Sequence, residues 1–429
     1  MRPSTRAYLE FLRQSPYRPV KWMRTYQQGL LEKMLLHARS HVPFYRDRLE
    51  TVFSADGRFN RSRWHELPIL TRGEAQRSGA DLYAQEVPAE SGNWSEQQTS
   101  GSTGMPLRHR RSQIAGFVNM CVRHREYESY KLDFGGRLAS IQSMSAEAPG
   151  ASNDAVRRWN FYDKGPMLRF PIRSSVEQQF EWLQRLRAPY LRVFPSLLKA
   201  LAEYAMQLPA PVLTFSAMLA YGENLSQETR EIAHKAFGGR VIHSYGATET
   251  GRLAAECAKC GRFHVPAETV LIEILRPDGT PAQPGETGRV IVTPLYNFAM
   301  PLIRYEIGDF AEVGPSEECQ NLLPTLSRTF GRTRNLFKLS DGSRVLPDTR
   351  ARDMLRYVGL VQVQVVQTTL QDIEVRYVAD ESNRVPDEIG LQDYFRSVIH
   401  PSLNVKAVAV ANIGRSPSGK FEDYISLVS

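Results

Sequence analysis

The stretch Thr99-Ser-Gly-Ser-Thr-Gly-Met-Pro106 is too small and too polar to pack into a core. Its first six positions hold two glycines and four hydroxyl residues. A segment of this kind can present backbone N–H groups and hydroxyls around an anion, which suits a triphosphate. A surface turn is the other reading of the same composition. The segment is not a Walker loop, because the order G-x-x-x-x-G-K-[ST] is absent.

Upstream of this segment, Trp22, Met23, Tyr26, Leu30, Met34 and Leu35 recur at helical spacing with polar residues between them, which predicts an amphipathic helix facing the core. Downstream, short β-like runs alternate with helical ones. Tyr190–Phe194 leads through Pro195-Ser196 into a helical Leu197–Met206. The strand-like segments Val212–Tyr221 and Arg240–Tyr245 flank a polar helix at Ser226–Phe237. Strands alternating with helices at this spacing predict βαβ units and a largely parallel sheet. After about residue 265 the texture changes to short β segments at Val270–Leu275, Gly288–Thr293 and Ile303–Tyr305, separated by Pro/Gly turns, which reads as a smaller antiparallel sheet or barrel. A third texture follows. Val361–Val366 and Ile373–Val378 alternate with period two, Asp387–His400 is a helix candidate, and Val405–Val410 is a last strand. The expected division is residues 1–332 and 333–429, with Thr333–Leu336 as linker.

Composition limits the function classes. Of 429 residues, 42% are hydrophobic and 23% charged, as in an ordinary globular protein. The formal charge of +8 is modest for the length. Ten Lys/Arg against four Asp/Glu in residues 1–50 account for most of it, so net charge points to neither nucleic acid nor a membrane. There is no apolar run of membrane-spanning length and no apolar stretch after Met1 resembling a signal peptide. Four cysteines are too few for a disulfide-built secreted scaffold, so the expected location is cytoplasmic.

Four further segments can carry chemistry. Ser244-Tyr-Gly-Ala-Thr-Glu-Thr-Gly251 follows a strand with an aromatic ring, a hydroxyl and a carboxylate, suited to stacking a base and holding magnesium. In Ile303-Arg-Tyr-Glu-Ile-Gly-Asp309 a carboxylate follows a strand and can accept bonds from two ribose hydroxyls; a strand-end turn is the plainer reading. Gly331-Arg332 and Ser416-Pro-Ser-Gly-Lys420 complete the set. In this order the five segments resemble the adenylate-forming superfamily of acyl-CoA synthetases, peptide-synthetase adenylation domains and luciferases, over nearly the whole chain. The nearest likeness is the phenylacetate–CoA ligase group with its capsule-biosynthesis-like branch. It rests on the compact length, His41-Val-Pro-Phe-Tyr-Arg46, Leu67-Pro-Ile-Leu-Thr-Arg72, Pro195-Ser196 before a helix, and Ala299-Met-Pro-Leu-Ile-Arg-Tyr305.

The resemblance implies an α/β fold: a large N-terminal domain of layered sheets and helices with a β-rich subdomain, and a small mobile α+β C-terminal domain. It implies that Thr99, Ser100, Gly101, Ser102, Thr103 and Gly104 cradle the β- and γ-phosphates of ATP. Gly222 and Glu223 would line the adenine, and Tyr245 and Gly246 would lie beside the base and acyl group. Thr248 would contact the α-phosphate, Glu249 would hold Mg2+, Asp309 and Arg332 would bind the ribose, and Lys420 would be the mobile catalytic lysine. The implied reaction is AMP-forming activation of a carboxylic acid, aromatic by analogy with the nearest group, followed by transfer to coenzyme A. A lysine and a metal suit the charge that builds during nucleotidyl transfer. The same motifs serve an amine, a carrier-protein thiol or a hydroxyl as acceptor, and a degenerate nucleotide-binding protein is a third reading. A homodimer through the N-terminal helices is a further expectation.

Two residues depart from the family pattern. Met105 stands where the phosphate loop usually carries lysine, with Arg108, Arg110 and Arg111 nearby as replacements, and Arg334 stands at the hinge position, generally Asp or Lys. The cysteines form their own pattern. Cys257-Ala-Lys-Cys260 is a C-x₂-C followed by His264 and, later, Cys319, a Cys₃His set suited to structural Zn2+. Some members of the resembling branch carry zinc in this region; reduced thiols and one imidazole on a strand are the alternative.

Overall fold

The computed structural model describes residues 5–99, 107–142, 157–162, 164–172, 174–209, 213–315, 319–332, 337–342, 344–345, 357, 360–379, 387–414, 421–422 and 424–428. They fall into two compact units, Met1–Phe330 and Gly331–Ser429. Ser100–Gly104, Met105, the hinge residue Arg334 and Lys420 lie outside the described residues, as does the side chain of Arg332.

The first unit begins with helices α1 (Thr5–Gln14), α2 (Val20–His41) and α3 (Arg72–Ser78). A hairpin follows, β1 (Trp94–Gln98) and β2 (Arg108–Ser112), and then α4 (Gln113–Ser129). The α/β region is β3 (Leu138–Gln142), β4 (Arg157–Arg158), β5 (Pro166–Pro171), α5 (Val176–Leu186), β6 (Tyr190–Val193), α6 (Pro195–Met206), β7 (Ala217–Tyr221), α7 (Gln227–Phe237) and β8 (Arg240–Ala247). Then come β9 (Gly251–Glu256), β10 (Phe263–His264), β11 (Val270–Leu275), β12 (Thr287–Pro294), β13 (Tyr305–Val313) and β14 (Thr325–Arg332). Local chemistry sets the helix starts. The Ser226 hydroxyl accepts from Thr229 N at 3.1 Å, Ser175 and Gln178 form a reciprocal capping box, and Pro195 opens α6.

Among the described residues, twelve of these strands form one sheet in the order β11-β12-β13-β14-β10-β9-β8-β7-β6-β3-β5-β4. The run β8-β7-β6-β3-β5 is parallel, as the alternating pattern predicts. Both faces are covered. Met218 packs with Phe180, Leu198 and Phe237 of α5–α7, while Ala217 and Leu219 face the Tyr127 and Trp159 side. The antiparallel part starts at Gly251 and not near residue 265, and it is continuous with the parallel run. The cause is the length of β8, which pairs in parallel with β7 and then turns tightly back as β9. At that return Gly246 faces Gly251, where a Cβ would meet the Gly251 carbonyl oxygen at 2.4 Å.

The second unit is α+β: β15 (Phe337–Lys338) pairs with β16 (Arg344–Val345), beside a four-stranded sheet. Its strands β17 (Leu360–Gln367) and β18 (Asp372–Ala379) form an antiparallel hairpin. The edge strands β19 (Asn404–Ala409) and β20 (Tyr424–Ser426) pair in parallel with β18 and β17. Leu391 and Phe395 of α8 (Glu388–Val398) pack on Ile373, Val375 and Tyr377.

Candidate active site

The site grows from the turn at the C-terminal end of β8, where ligands gather in open parallel sheets. Glu249 is on that turn and is buried, while its neighbour Thr248 is exposed. The Glu249 carboxylate is held through Oε1: Arg72 Nη1 donates at 3.1 Å and the Tyr305 hydroxyl at 3.3 Å. Among the described residues Oε2 accepts no hydrogen bond, which leaves one hard oxygen ligand suited to a divalent cation. Burial, with Glu249 alongside, raises the Tyr305 phenol pKa, so Tyr305 stays a neutral donor.

The same guanidinium reaches the phosphate-loop candidate. Arg72 Nη2 donates to Thr99 Oγ1 at 2.9 Å, and Leu107 N donates to that hydroxyl at 2.9 Å. Thr99 N in turn bonds the Leu107 carbonyl at 2.9 Å. Thr99 and Leu107 therefore close the base of the 100–106 segment, and Arg72 ties that base to Glu249. Of the three arginines expected to replace the missing loop lysine, Arg110 is sandwiched between the rings of Tyr83 and Trp94 at 4.0 and 3.9 Å. Arg108 is exposed, and Arg111 lines a pocket behind the turn. Arg72 is the cation found at the loop base.

Arg72 was visible in the sequence within Leu67–Arg72 but had no role there. Its position comes from an unusual brace. Arg304 has φ of 48°, a strained value for a residue with a Cβ, and is buried. Its Nη1 donates to the carbonyls of Leu67 at 2.6 Å and His65 at 3.0 Å, while Nη2 pairs with Glu273 at 3.0 Å. Leu70 N donates to the Arg304 carbonyl and Glu306 N to the Leu70 carbonyl, both at 2.9 Å. The 67–70 segment thus runs beside the start of β13 and delivers Arg72, at the start of α3, to Glu249. Two motifs that looked separate in the chain form one mount.

Asp309 lies within β13 and not after a strand, because β13 starts at Tyr305 and runs to Val313. Its Oδ2 accepts from the Tyr245 hydroxyl at 2.7 Å. β8 and β13 are four places apart in the sheet order, about 19 Å if the sheet were flat. A direct bond between their side chains requires the antiparallel part to curl, which brings Tyr245, Asp309, Tyr305 and Glu249 into one concavity. The residues expected at adenine are placed less simply. Gly222 follows β7 with φ of 78°, and Glu223 uses Oε2 to accept from Ser196 N at 2.9 Å at the start of α6. His243 Nε2 meets the Glu223 carbonyl at 3.0 Å, which fixes that corner.

The ligating atoms of Cys257, Cys260, His264 and Cys319 lie within 4.8 Å of one another. Cys257 Sγ is 3.9 Å from Cys319 Sγ, and Cys260 Sγ is 3.4 Å from His264 Nε2. Tetrahedral zinc at ordinary bond lengths needs about 3.8 Å between sulfurs and about 3.5 Å between sulfur and nitrogen, so the set fits. Cys257–Cys260 forms the knuckle between β9 and β10, with Gly261 at φ of 71°. The Nδ1 atom of His264 faces the Leu323 carbonyl at 3.3 Å, which puts the proton there and frees Nε2. Burial raises the Cys257 thiol pKa, but bonds from His264 and the backbone of Cys260 and Lys259 outweigh it and leave the thiol below its usual range.

Sequence and fold comparisons bear on this geometry. Residues 164–297 match the AMP-binding enzyme family. That segment carries Gly222, Tyr245, Thr248 and Glu249. No curated protein matches the chain by sequence. The fold is that of the adenylate-forming enzymes, with a small C-terminal domain. A 2-hydroxyisobutyryl-CoA ligase in the postadenylation state superposes with a TM-score of 0.73 at 16% identity, covering 94% of this chain and 89% of that one. ATP-bound MatB from Rhodopseudomonas palustris gives 0.54 at 17% identity, over 76% and 65% of the two chains. The anthranilate CoA ligase AuaEII with anthranoyl-AMP gives 0.54 at 12% identity over the same shares. No helix of the described residues is long and apolar enough to cross a membrane.

Proposed function

We propose that this protein is an ATP-dependent, AMP-forming ligase that converts a carboxylic acid to its acyl-adenylate and passes the acyl group to coenzyme A. The observation that carries the reading is the single cluster joining Thr99, Arg72, Glu249 and Tyr305, with Tyr245 and Asp309 beside it. Structural neighbours holding acyl-AMP or ATP support it, as does the family match over the Glu249 turn. A likeness to the phenylacetate–CoA ligase group is part of this reading and rests on the compact length, His41–Arg46, Leu67–Arg72, Pro195-Ser196 and Ala299–Tyr305.

In this reading Ser100–Gly104 and Thr99 take the β- and γ-phosphates. Thr248 takes the α-phosphate, Tyr245 the base, and Asp309 with Arg332 the ribose. Mg2+, held through Glu249, would neutralise charge on the phosphates. Arg72 holds the Glu249 carboxylate in place, while the curled strands exclude water around Tyr305. Lys420, on the second unit, supplies the positive charge for nucleotidyl transfer, with Arg334 at the hinge between residues 1–332 and 333–429. Zinc at Cys257, Cys260, His264 and Cys319 would tie the 319–323 loop to the β9–β10 knuckle and has a structural role. The test is ATP–pyrophosphate exchange across a panel of aromatic and aliphatic acids, repeated with coenzyme A, amines and a carrier protein. Exchange with one acid class, and a thioester only with coenzyme A, supports the proposal. Exchange with no acid at all overturns it.

A further inference from the structure

His109 is a buried titratable side chain beside the site, and no step above uses it. Along β2 the side chains alternate: Leu107 and His109 are 2% and 1% exposed, and Arg108 between them faces solvent. That alternation calls for an apolar side chain at 109, because a buried imidazole needs hydrogen-bond partners. Among the described residues neither Nδ1 nor Nε2 of His109 closes a hydrogen bond. The backbone acceptors that face the ring are the carbonyls of Leu107 and Thr248, and the charges that face it are Glu249 and Arg111. Burial lowers the His109 pKa more than the Glu249 charge raises it, so near neutral pH the ring is neutral and carries one N–H.

The imidazole stands between the two ends of the proposed nucleotide grip. On one side Leu107 closes the base of the 100–106 segment with Thr99, and its carbonyl already accepts from Thr99 N at 2.9 Å. On the other side Thr248 precedes Glu249 on the turn after β8, and its carbonyl accepts no backbone hydrogen bond among the described residues. A buried donor and an unfilled acceptor that face each other without bonding are one small movement of the turn away from pairing. An unsatisfied polar group in such a place is costly, which favours the arrangement that pairs it.

We infer that His109 is a positioning residue of the nucleotide site: ATP binding draws the Thr248–Glu249 turn toward β2, and the ring N–H then bonds the Thr248 carbonyl. The inference rests on the ligase reading, which gives Thr248 the α-phosphate and Glu249 the cation. Part of the affinity for ATP thus comes from a side chain that touches no atom of ATP.

The experiment is calorimetric titration with ATP and Mg2+, without acid, of wild type, His109→Leu, His109→Asn and His109→Gln. Leucine removes both nitrogens at similar volume, while the two amides offer an N–H near the places of Nδ1 and Nε2. His109→Leu should bind ATP about tenfold more weakly, or about 1.4 kcal/mol, the size of one such hydrogen bond. One of the amides should restore part of that loss. Unchanged affinity in His109→Leu overturns the inference, and so does a loss that neither amide restores. If His109→Leu does not fold, nitrogen-15 histidine labelling of the wild type decides. The ring N–H proton signal that His109→Gln lacks should move downfield when ATP is added, and a signal that stays in place overturns the inference. Wild-type protein that does not bind ATP fails the ligase reading and takes the inference with it; binding that His109→Leu leaves intact fails the inference alone.

Discussion

Replacing Arg72 with methionine should expose how the loop base and Glu249 depend on one cation. The Arg72 side chain is 17% exposed and that of Glu249 5%, so the pair is largely removed from water. Removing one partner of a buried pair costs about 3–5 kcal/mol, mainly because the other charge stays buried without compensation. The residual exposure of Arg72 argues for the lower end, about 3 kcal/mol. At about 2.1 cal/mol/K per residue and this chain size, that is about 3 °C in Tm. The second substitution Glu249→Gln removes the stranded charge, so Arg72→Met/Glu249→Gln should lose only about 1 kcal/mol, about 2 kcal/mol less than Arg72→Met alone. Methionine keeps much of the arginine's volume, which limits any cavity effect. Urea denaturation followed by near-UV and far-UV circular dichroism reads all three variants against wild type. If the double variant is as unstable as the sum of the single ones, Glu249 and Arg72 do not act as a pair and the mount has been misread.

Further expectations concern other parts of the molecule. Lys420→Ala should reduce acid-dependent pyrophosphate release by at least about a hundredfold while ATP binding, measured by calorimetry, persists, because a lost electrostatic donor at the transition state costs about 3 kcal/mol or more. Cys260→Ser should lower the zinc content measured by mass spectrometry from one equivalent to near zero and lower Tm, whereas full zinc retention would exclude Cys260 as a ligand. His243 is buried, and desolvation lowers its pKa to about 4 against an ordinary 6.5. Below 6.5 the unfolded chain takes the proton first, so stability should fall as pH drops from about 6.5 to 4, by up to about 3 kcal/mol. Denaturation of His243→Gln should show a shallower slope over that window; an identical slope would contradict the assignment.

Much of the architecture was legible because it rests on periodicity and local capping. The parallel strands at Tyr190–Val193 and Arg240–Ala247, with the helices between them, follow from alternating apolar runs and from Ser226 and Pro195 at helix starts. The gathering of Cys257, Cys260 and His264 was legible from C-x₂-C spacing, while Cys319 is brought in by a loop no local pattern reveals. The join between antiparallel and parallel strands was not legible, because it depends on β8 being long enough to pair on both sides. Nor was the role of Arg72. Its position depends on Arg304 at a positive φ gripping carbonyls more than two hundred residues away in sequence, a long-range contact with no signature in either segment. Asp309 was expected after a strand, whereas Pro301–Arg304 lies outside β13 and that strand runs from Tyr305 past Asp309 to Val313.

The central claim is that the acid's carboxylate attacks the α-phosphorus of ATP. The direct test uses a carboxylic acid that supports pyrophosphate exchange, labelled with oxygen-18 in both carboxylate oxygens. After a round of turnover with coenzyme A, mass spectrometry of the nucleotide product should find AMP carrying one labelled oxygen. Label in orthophosphate with ADP as product, or AMP without label, would contradict acyl-adenylate formation at this site.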